Sequence, residues 1–252
     1  MPTIDDVRAY WNEHIHDLEI TPHPAGSRGF FEDLDQYHFE KLHHLLQLVT
    51  FDGYCGQRVL EVGCGAGIDL ARFAKGGAVV TGVDIATSAI DLARTNFEQQ
   101  GLRGDFELAN GEALPFPDAS FDLVYAHGVV QYTAEPQRLV DECRRVLKPG
   151  GEAIVQVYNR MSWLNALSKL MKVSLEHEDA PVLVKYNIGE FRGLLSDFRE
   201  VRIVPERFPV KSRLHGGWKG TLYNGMFVRV FNTLPRPLVR RFGWHVIAFC
   251  RK

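Results

Sequence analysis

The chain has 252 residues, with 29 Lys and Arg against 31 Asp and Glu, a formal net charge of −2, and 45% apolar and 24% charged residues. This is the composition of a soluble globule long enough to bury a full core, and it excludes a disordered chain, a collagen and a coiled coil. No apolar run approaches the roughly 18 residues of a spanning helix; the first residues are acidic and polar, unlike a targeting peptide. Cys55, Cys64, Cys143 and Cys250 form no CxxC pair, so we expect no metal site and no disulfide framework, and a cytoplasmic location.

Thr3 followed by Asp6 reads as a capping box that opens a helix with Ile4, Val7, Tyr10 and Trp11 on one face. A loop at 23–29 precedes a second predicted helix over 30–49, whose face is Phe30, Leu34, Tyr37, Leu42, Leu45, Leu46 and Val49. From there strands and helices alternate: strand 58–63, helix 67–75, strand 78–84, helix 86–100, strand 105–109, a proline-rich loop 110–120, strand 121–127, helix 135–147 and strand 152–158. Such alternation is the signature of right-handed βαβ units on a parallel sheet. The segment 159–187 interrupts it. A helix at 188–195 and a strand at 198–205 return to the sheet, 206–243 is a second interruption, and 244–251 is a plausible last strand. We expect a helical lid at 1–49 and a sheet domain at 50–252, with 159–187 and 206–243 inserted as caps.

Charge is unevenly placed. Residues 199–252 hold 12 Lys and Arg against 2 Asp and Glu, a balance of +10, which leaves −12 on residues 1–198. A basic segment can meet nucleic acid or a membrane surface, or simply pack on the acidic body. The basic residues here are scattered, which favours packing.

The chemistry concentrates in VLEVGCGAG. Gly63, Gly65 and Gly67 follow a strand and open a helix, where the backbone must bend sharply and approach a ligand without Cβ clashes. A dinucleotide fingerprint would need glycine at Ile68, and no GK[ST] follows for a phosphate loop. Glu61 at the strand end repels phosphate but can hold an ammonium group, so adenosine with a cationic amino-acid tail suits the loop better. Asp84 ends the next strand, where a carboxylate can accept from both ribose hydroxyls, and Ile85 beside it can lie on a purine. The loop after the third strand, with Asn110, Gly111 and Glu112, can address the adenine edge. His127 ends the fourth strand and is followed by Gly128.

Taken together, VLEVGCGAG, GVDIA, NGEALPFPDASFDLV and RRVLKPGG, in this order and spacing, resemble the class I S-adenosylmethionine-dependent methyltransferases. The subgroup they resemble is the small-molecule enzymes that include those of ubiquinone and menaquinone biosynthesis. The resemblance covers about residues 57–158. It implies an α/β fold with a Rossmann-like seven-stranded sheet, the last strand antiparallel, and helical cap insertions. It implies S-adenosyl-L-methionine as cofactor, on Glu61, Gly63, Gly65, Gly67, Asp84, Ile85, Asn110, Gly111, Glu112 and His127. Asn110 stands where many relatives carry aspartate, and its amide oxygen can still accept from the adenine amine.

His127 is the candidate catalytic residue, as a base or as a group that positions the acceptor; a structural histidine is the competing reading. Tyr10, Trp11 and Tyr37, with His38, can close over the site or be ordinary packing, and His43 and His44 read as surface residues. Around His177, LEHEDAP reads as a solvated loop rather than a metal site. The stretch 206–224, with Arg207, Lys211, Arg213, His215, Trp218, Lys219 and Tyr223, can bind RNA or line an acceptor pocket. The pocket is favoured, which makes His215 and Trp218 candidate substrate contacts. The expected function is methylation of a small-molecule acceptor: a quinone-like or phenolic ring, or a thiol or sulfide. RNA methylation and a non-catalytic cofactor-binding module are the alternatives. Nucleic acid is not the expected partner; peripheral membrane contact is compatible with the sequence, which leaves the oligomeric state open.

Overall fold

The computed structural model describes residues 2–14, 20–175, 177–210 and 217–252. Two helices precede the sheet. Helix α1 (Ile4–Glu13) opens on the capping box of Thr3 and Asp6, and α2 (Arg28–Lys41) on the Ser27 hydroxyl, which accepts from Phe30 N–H. Caps of this kind contribute about 1 kcal/mol each. The single helix expected over 30–49 is broken at Leu42, whose N–H closes on His38 C=O, and a short α3 (Leu45–Leu48) follows. The break has a steric reason. Leu42, His44 and Leu45 are all buried, and an unbroken helix points residues 42 and 44 to opposite sides.

The alternating segment then builds β1 (Arg58–Val62), α4 (Ile68–Lys75), β2 (Val79–Asp84), α5 (Thr87–Gln99), β3 (Asp105–Leu108), β4 (Phe121–His127), α6 (Pro136–Val146) and β5 (Leu147–Tyr158). After α7 (Trp163–Met171) and α8 (Ile188–Leu194), the strands β6 (Glu200–Glu206) and β7 (His245–Arg251) complete one seven-stranded sheet in the order β3-β2-β1-β4-β5-β7-β6. Strands β1 to β5 are parallel, and β7 runs antiparallel between β5 and β6. The fold is thus the α/β sheet with flanking helices that the motifs imply. The segment 206–243 is mostly helical where described: α9 (Gly217–Leu222), a π-helical turn (Tyr223–Phe227), α10 (Val228–Thr233) and α11 (Arg236–Val239).

Two apolar layers hold the sheet, one on each face, because side chains alternate along a strand. Leu60, Val62, Val124, Ala126, Val155 and Val157 pack with α6 and α8 through Leu139, Val140, Cys143 and Phe191. Val59, Leu123, Tyr125, Ile154 and Ile247 pack on the other face with Leu70 and Phe73 of α4 and Phe30, Phe31 and Leu34 of α2. The second helix of the expected lid is therefore part of the core. Helix α1 stands over the sheet's end, tied to α5 by Ser88, whose N–H and hydroxyl donate to the Asn12 side-chain and backbone oxygens.

Candidate active site

The sheet face that carries Val59, Leu123, Ile154 and Ile247 turns polar at the carboxyl ends of the parallel strands. On that face the next residues along the chain, two positions on, are Glu61, Tyr125 and Gln156; β7 runs the other way and contributes His245. The register sets Glu61 beside Tyr125, His127 beside Gln156, and Tyr158 beside His245. A period of two thus converts four apolar strands into a polar row at one end. Above this row lies a cavity of about 250 Å³, roofed by Ile4, Val7, Trp11 and His14 of the first helix.

At one end of the cavity the glycine loop approaches Asp84. Gly63, Gly65 and Gly67 have φ of 71°, 51° and 71°, the left-handed region that glycine enters without a Cβ penalty. A Cβ on Gly63 would collide with Val129, whereas one on Gly65 would project into open space at the cavity. The Asp84 carboxylate accepts from Gly65 N–H and Ala86 N–H, each at 2.9 Å, which fixes it at the cavity wall. Burial pushes its pKa up against the pull of these backbone donors. Glu61 is buried, and its Oε2 has no partner among the described residues. Burial, then the charges of Asp69 and Asp84, raise its pKa well above the usual carboxylate range. An orphaned buried carboxylate oxygen with carboxylate neighbours fits a cation that arrives with a ligand. Ile85, Asn110 and Gly111 line the same end. Asn110 Oδ1 already accepts from Glu112 N–H at 3.0 Å, which leaves one lone pair for a ligand.

The other end of the cavity is rich in nitrogen. His38, Lys41, His127, Arg207 and His245 line it, with Trp11, Tyr132 and Tyr158. Asp69, on α4, joins the histidines: His38 Nε2 lies 3.0 Å from Asp69 Oδ1, His127 Nδ1 lies 3.7 Å from Oδ2, and the Tyr125 hydroxyl donates to Oδ2 at 3.0 Å. Burial pushes the Asp69 carboxyl up, but His38, His127 and Tyr125 together hold it below its ordinary value. His38, Asp69 and His127 offer donor atoms within 4.8 Å of one another, close enough to hold a metal ion. Both Asp69 oxygens are taken up by protein donors, however, and the arrangement also suits a carboxylate that orients two imidazoles. Arg207 adopts a left-handed φ of 60°, a conformation that costs a bulky residue about 1–3 kcal/mol. Its Nη1 lies 2.9 Å from His245 Nε2. A guanidinium can only donate, so His245 Nε2 accepts and Nδ1 carries the proton. That Nδ1 is buried and has no partner among the described residues.

The geometry sorts the residues singled out from the sequence. Glu61, Gly63, Gly65, Asp84, Ile85, Asn110, Gly111, His127 and Trp11 share the cavity. Gly67 stands at the N-cap of α4 behind the loop. Glu112 stands outside the lining; its carboxylate accepts from the Thr133 hydroxyl and from Glu135 N–H, tying the loop to the start of α6. Tyr10 is also outside. Its hydroxyl donates to Asp179 at 2.9 Å and lies 3.0 Å from His177 Nδ1, so the loop after Glu176 docks on α1 instead of standing free in solvent. Tyr37 packs under Lys41, Trp218 is 72% exposed, and His215 falls outside the described residues. His44 is buried, not at the surface, and burial together with the charges of His127 and Arg207 pushes its pKa down to about 3. Asp69, Lys41 and His245 were not legible as site residues, because each lies on an element whose role there depends on packing.

Residues 60–155 match a protein family described as "Methyltransferase domain". These residues are similar to that domain. The domain is similar to a ubiquinone biosynthesis O-methyltransferase of Coxiella burnetii, with 35% identity over 120 residues, 48% of this chain and 50% of that protein. A second such enzyme, from Azoarcus sp., is 34% identical over 128 residues, 48% of this chain and 55% of that protein. The chain thus spans about half the length of the curated relatives it matches. The fold is also that of a SAM-dependent methyltransferase from Thermotoga maritima, with a TM-score of 0.58 and 20% identity over 88% of this chain and 98% of that one. The methyltransferase domain implies S-adenosylmethionine as its cofactor, and the acidic end of the cavity has the donor and acceptor set to fit it. No described helix is long and apolar enough to cross a membrane.

Proposed function

We propose that the protein transfers a methyl group from S-adenosylmethionine to the oxygen of a small phenolic or quinol-like acceptor. The observation that carries this reading is the division of one cavity into an acidic end, with Glu61 and Asp84, and an end lined by imidazoles, Arg207 and Lys41. When bound, the cofactor supplies an electrophilic methyl on a cationic sulfonium. Asp84 would accept from the ribose and Glu61 would hold the amino group. At the other end, His127 takes the acceptor's proton, and Asp69 orients its ring and stabilises the charge it gains. The buried Nδ1–H of His245, held by Arg207, donates to an oxygen of the acceptor, while Trp11 and Tyr132, packed edge to face with centroids 4.9 Å apart, offer apolar surface to a ring. The names of the curated relatives, which concern O-methylation in ubiquinone biosynthesis, favour an oxygen over a thiol. The test is turnover of labelled cofactor against quinols, phenols, thiols, sulfide, amines and bulk RNA. Labelled product from a phenol or quinol is expected, and turnover confined to RNA or amines would overturn the reading.

In this reading α1 closes the cavity and excludes water. Its face of Ile4, Val7, Trp11 and His14 is held down by Asn12 on Ser88 and by Tyr10 on Asp179. Removing residues 1–14 is expected to weaken cofactor affinity and turnover by at least about tenfold. The melting temperature should change little, since Val7 is the one buried residue of this helix. Unchanged affinity and turnover would show that α1 is not a lid.

A further inference from the structure

The insertion between β6 and β7 carries two apolar faces, and the chain itself covers one. On the inner side, Trp163 of α7 meets Tyr223, Phe227 and Phe231, with ring centroids 6.4, 5.8 and 6.0 Å apart, and Phe208 meets Phe231 at 6.3 Å. The Trp163 indole N–H donates to Arg207 C=O at 2.9 Å, and Asn159 Nδ2 donates to the carbonyls of Arg241 and Gly243. The root of the insertion is thereby pinned to the body of the protein. Exposed on the insertion are Trp218, Leu222, Met226 and Val230, each four residues after the last and exposed by 72, 40, 57 and 59%, and, beyond the end of α10, Leu234 and Leu238 by 44 and 68%. The π-helical turn at Tyr223–Phe227 takes up an extra residue and so slows the drift that a four-residue spacing suffers on an α-helix. An exposed apolar ridge of this length marks an interaction surface.

The charge of the segment selects the partner. From Arg207 to Lys252 there are ten Lys and Arg and no Asp or Glu. Arg229, Arg236, Arg240 and Arg241 are all exposed on the described part. A second copy of this face would bring like charges together. RNA would need exposed rings on which to stack bases, and five of the six ridge residues are aliphatic. Apolar side chains flanked by arginines on a helix too short and too basic to span are the pattern of a helix that lies in the plane of an anionic bilayer surface.

We propose that the insertion is a membrane-docking element whose α9–α10 ridge enters the headgroup and acyl boundary of an anionic bilayer, with its arginines on the lipid phosphates. Arg207 lines the cavity at the root of the same insertion. The proposal stands whether or not the chain transfers methyl groups, since it concerns binding alone.

The full chain is tested by flotation with vesicles of phosphatidylcholine alone and of phosphatidylcholine with phosphatidylglycerol. Flotation with the anionic vesicles, weakened by salt and by omission of phosphatidylglycerol, is expected. Trp218 is the tryptophan of the ridge and is 72% exposed, so its emission should shift to the blue on binding. The triple variant Leu222→Glu, Met226→Glu, Val230→Glu should lose binding by at least about tenfold with an unchanged melting temperature, because these side chains touch solvent. Arg229→Glu with Arg241→Glu should lose the preference for anionic vesicles. Failure of the wild-type chain to float with anionic vesicles would overturn the proposal, as would equal flotation of the triple variant. So would a wild-type dimer that the triple variant dissociates, because the ridge would then be a contact between copies.

Discussion

Replacing His127 by asparagine is expected to lower kcat for methyl transfer by about 10²–10⁴-fold, the usual contribution of a positioned base. Cofactor affinity should change little, because His127 stands at the imidazole-lined end of the cavity, next to Gln156 and 5.3 Å from the His245 ring. Asp69→Asn tests the neighbouring role. Asp69 is a positioning residue in this scheme: it lies in the cavity wall with both carboxylate oxygens engaged by His38, His127 and Tyr125. Losing its negative charge removes what stabilises a protonated imidazole, so the acidic limb of the kcat/KM profile should move to lower pH as kcat falls. A merely structural carboxylate would lower the melting temperature and leave that limb in place. Equal losses of stability and activity in His127→Asn would return His127 to a structural role.

Glu61→Gln is expected to weaken binding of S-adenosylmethionine by roughly 10–100-fold, the loss of bonds to one charged group, and at the same time to raise the melting temperature of the free protein. The two effects have one cause. Glu61 is buried with an oxygen that lacks a partner, near Asp69 and Asp84, so its ionised form is costly until a cation arrives. Its folded pKa lies above the unfolded one. Its contribution therefore favours the folded state at low pH and is lost as pH rises from the ordinary glutamate range through the raised value. The Glu61→Gln variant has no such loss, so it should melt higher than the wild type above that range. Scanning fluorimetry from about pH 5 to pH 8, with calorimetry using S-adenosylhomocysteine, reads both. A variant that melts lower at every pH and binds as tightly as the wild type would show that Glu61 is a core residue with no part in the cofactor site.

Much of this was legible in the sequence for local reasons. The alternation of short apolar strands with helices of regular length appears as seven strands, and WHVIAFCR takes the antiparallel place between β5 and β6. Gly63, Gly65, Gly67 and Asp84 could be placed because a sharp turn at a strand end constrains residue type within a few positions. The boundary errors were also local: the break at Leu42 follows from packing three neighbouring residues inward, which periodicity does not report.

The nitrogen-rich half of the cavity could be assembled only by the tertiary structure. His38 lies on α2, Asp69 on α4, His127 on β4, Arg207 after β6 and His245 on β7, so the first and the last are 207 positions apart in the chain. Each is an isolated polar residue in its own segment, with no spacing that marks it. Sheet register sets Tyr158 beside His245, and helix packing drops Asp69 between two imidazoles. The sequence alone determined the sheet, the glycine loop and the acidic half of the site, because those rest on short-range constraints of backbone and turn. Which residues line the nitrogen-rich end of the cavity, and that the basic insertion leaves apolar side chains exposed to solvent, were decided by long-range packing, where one side of each helix is claimed by the core and the other is left to solvent or to a partner.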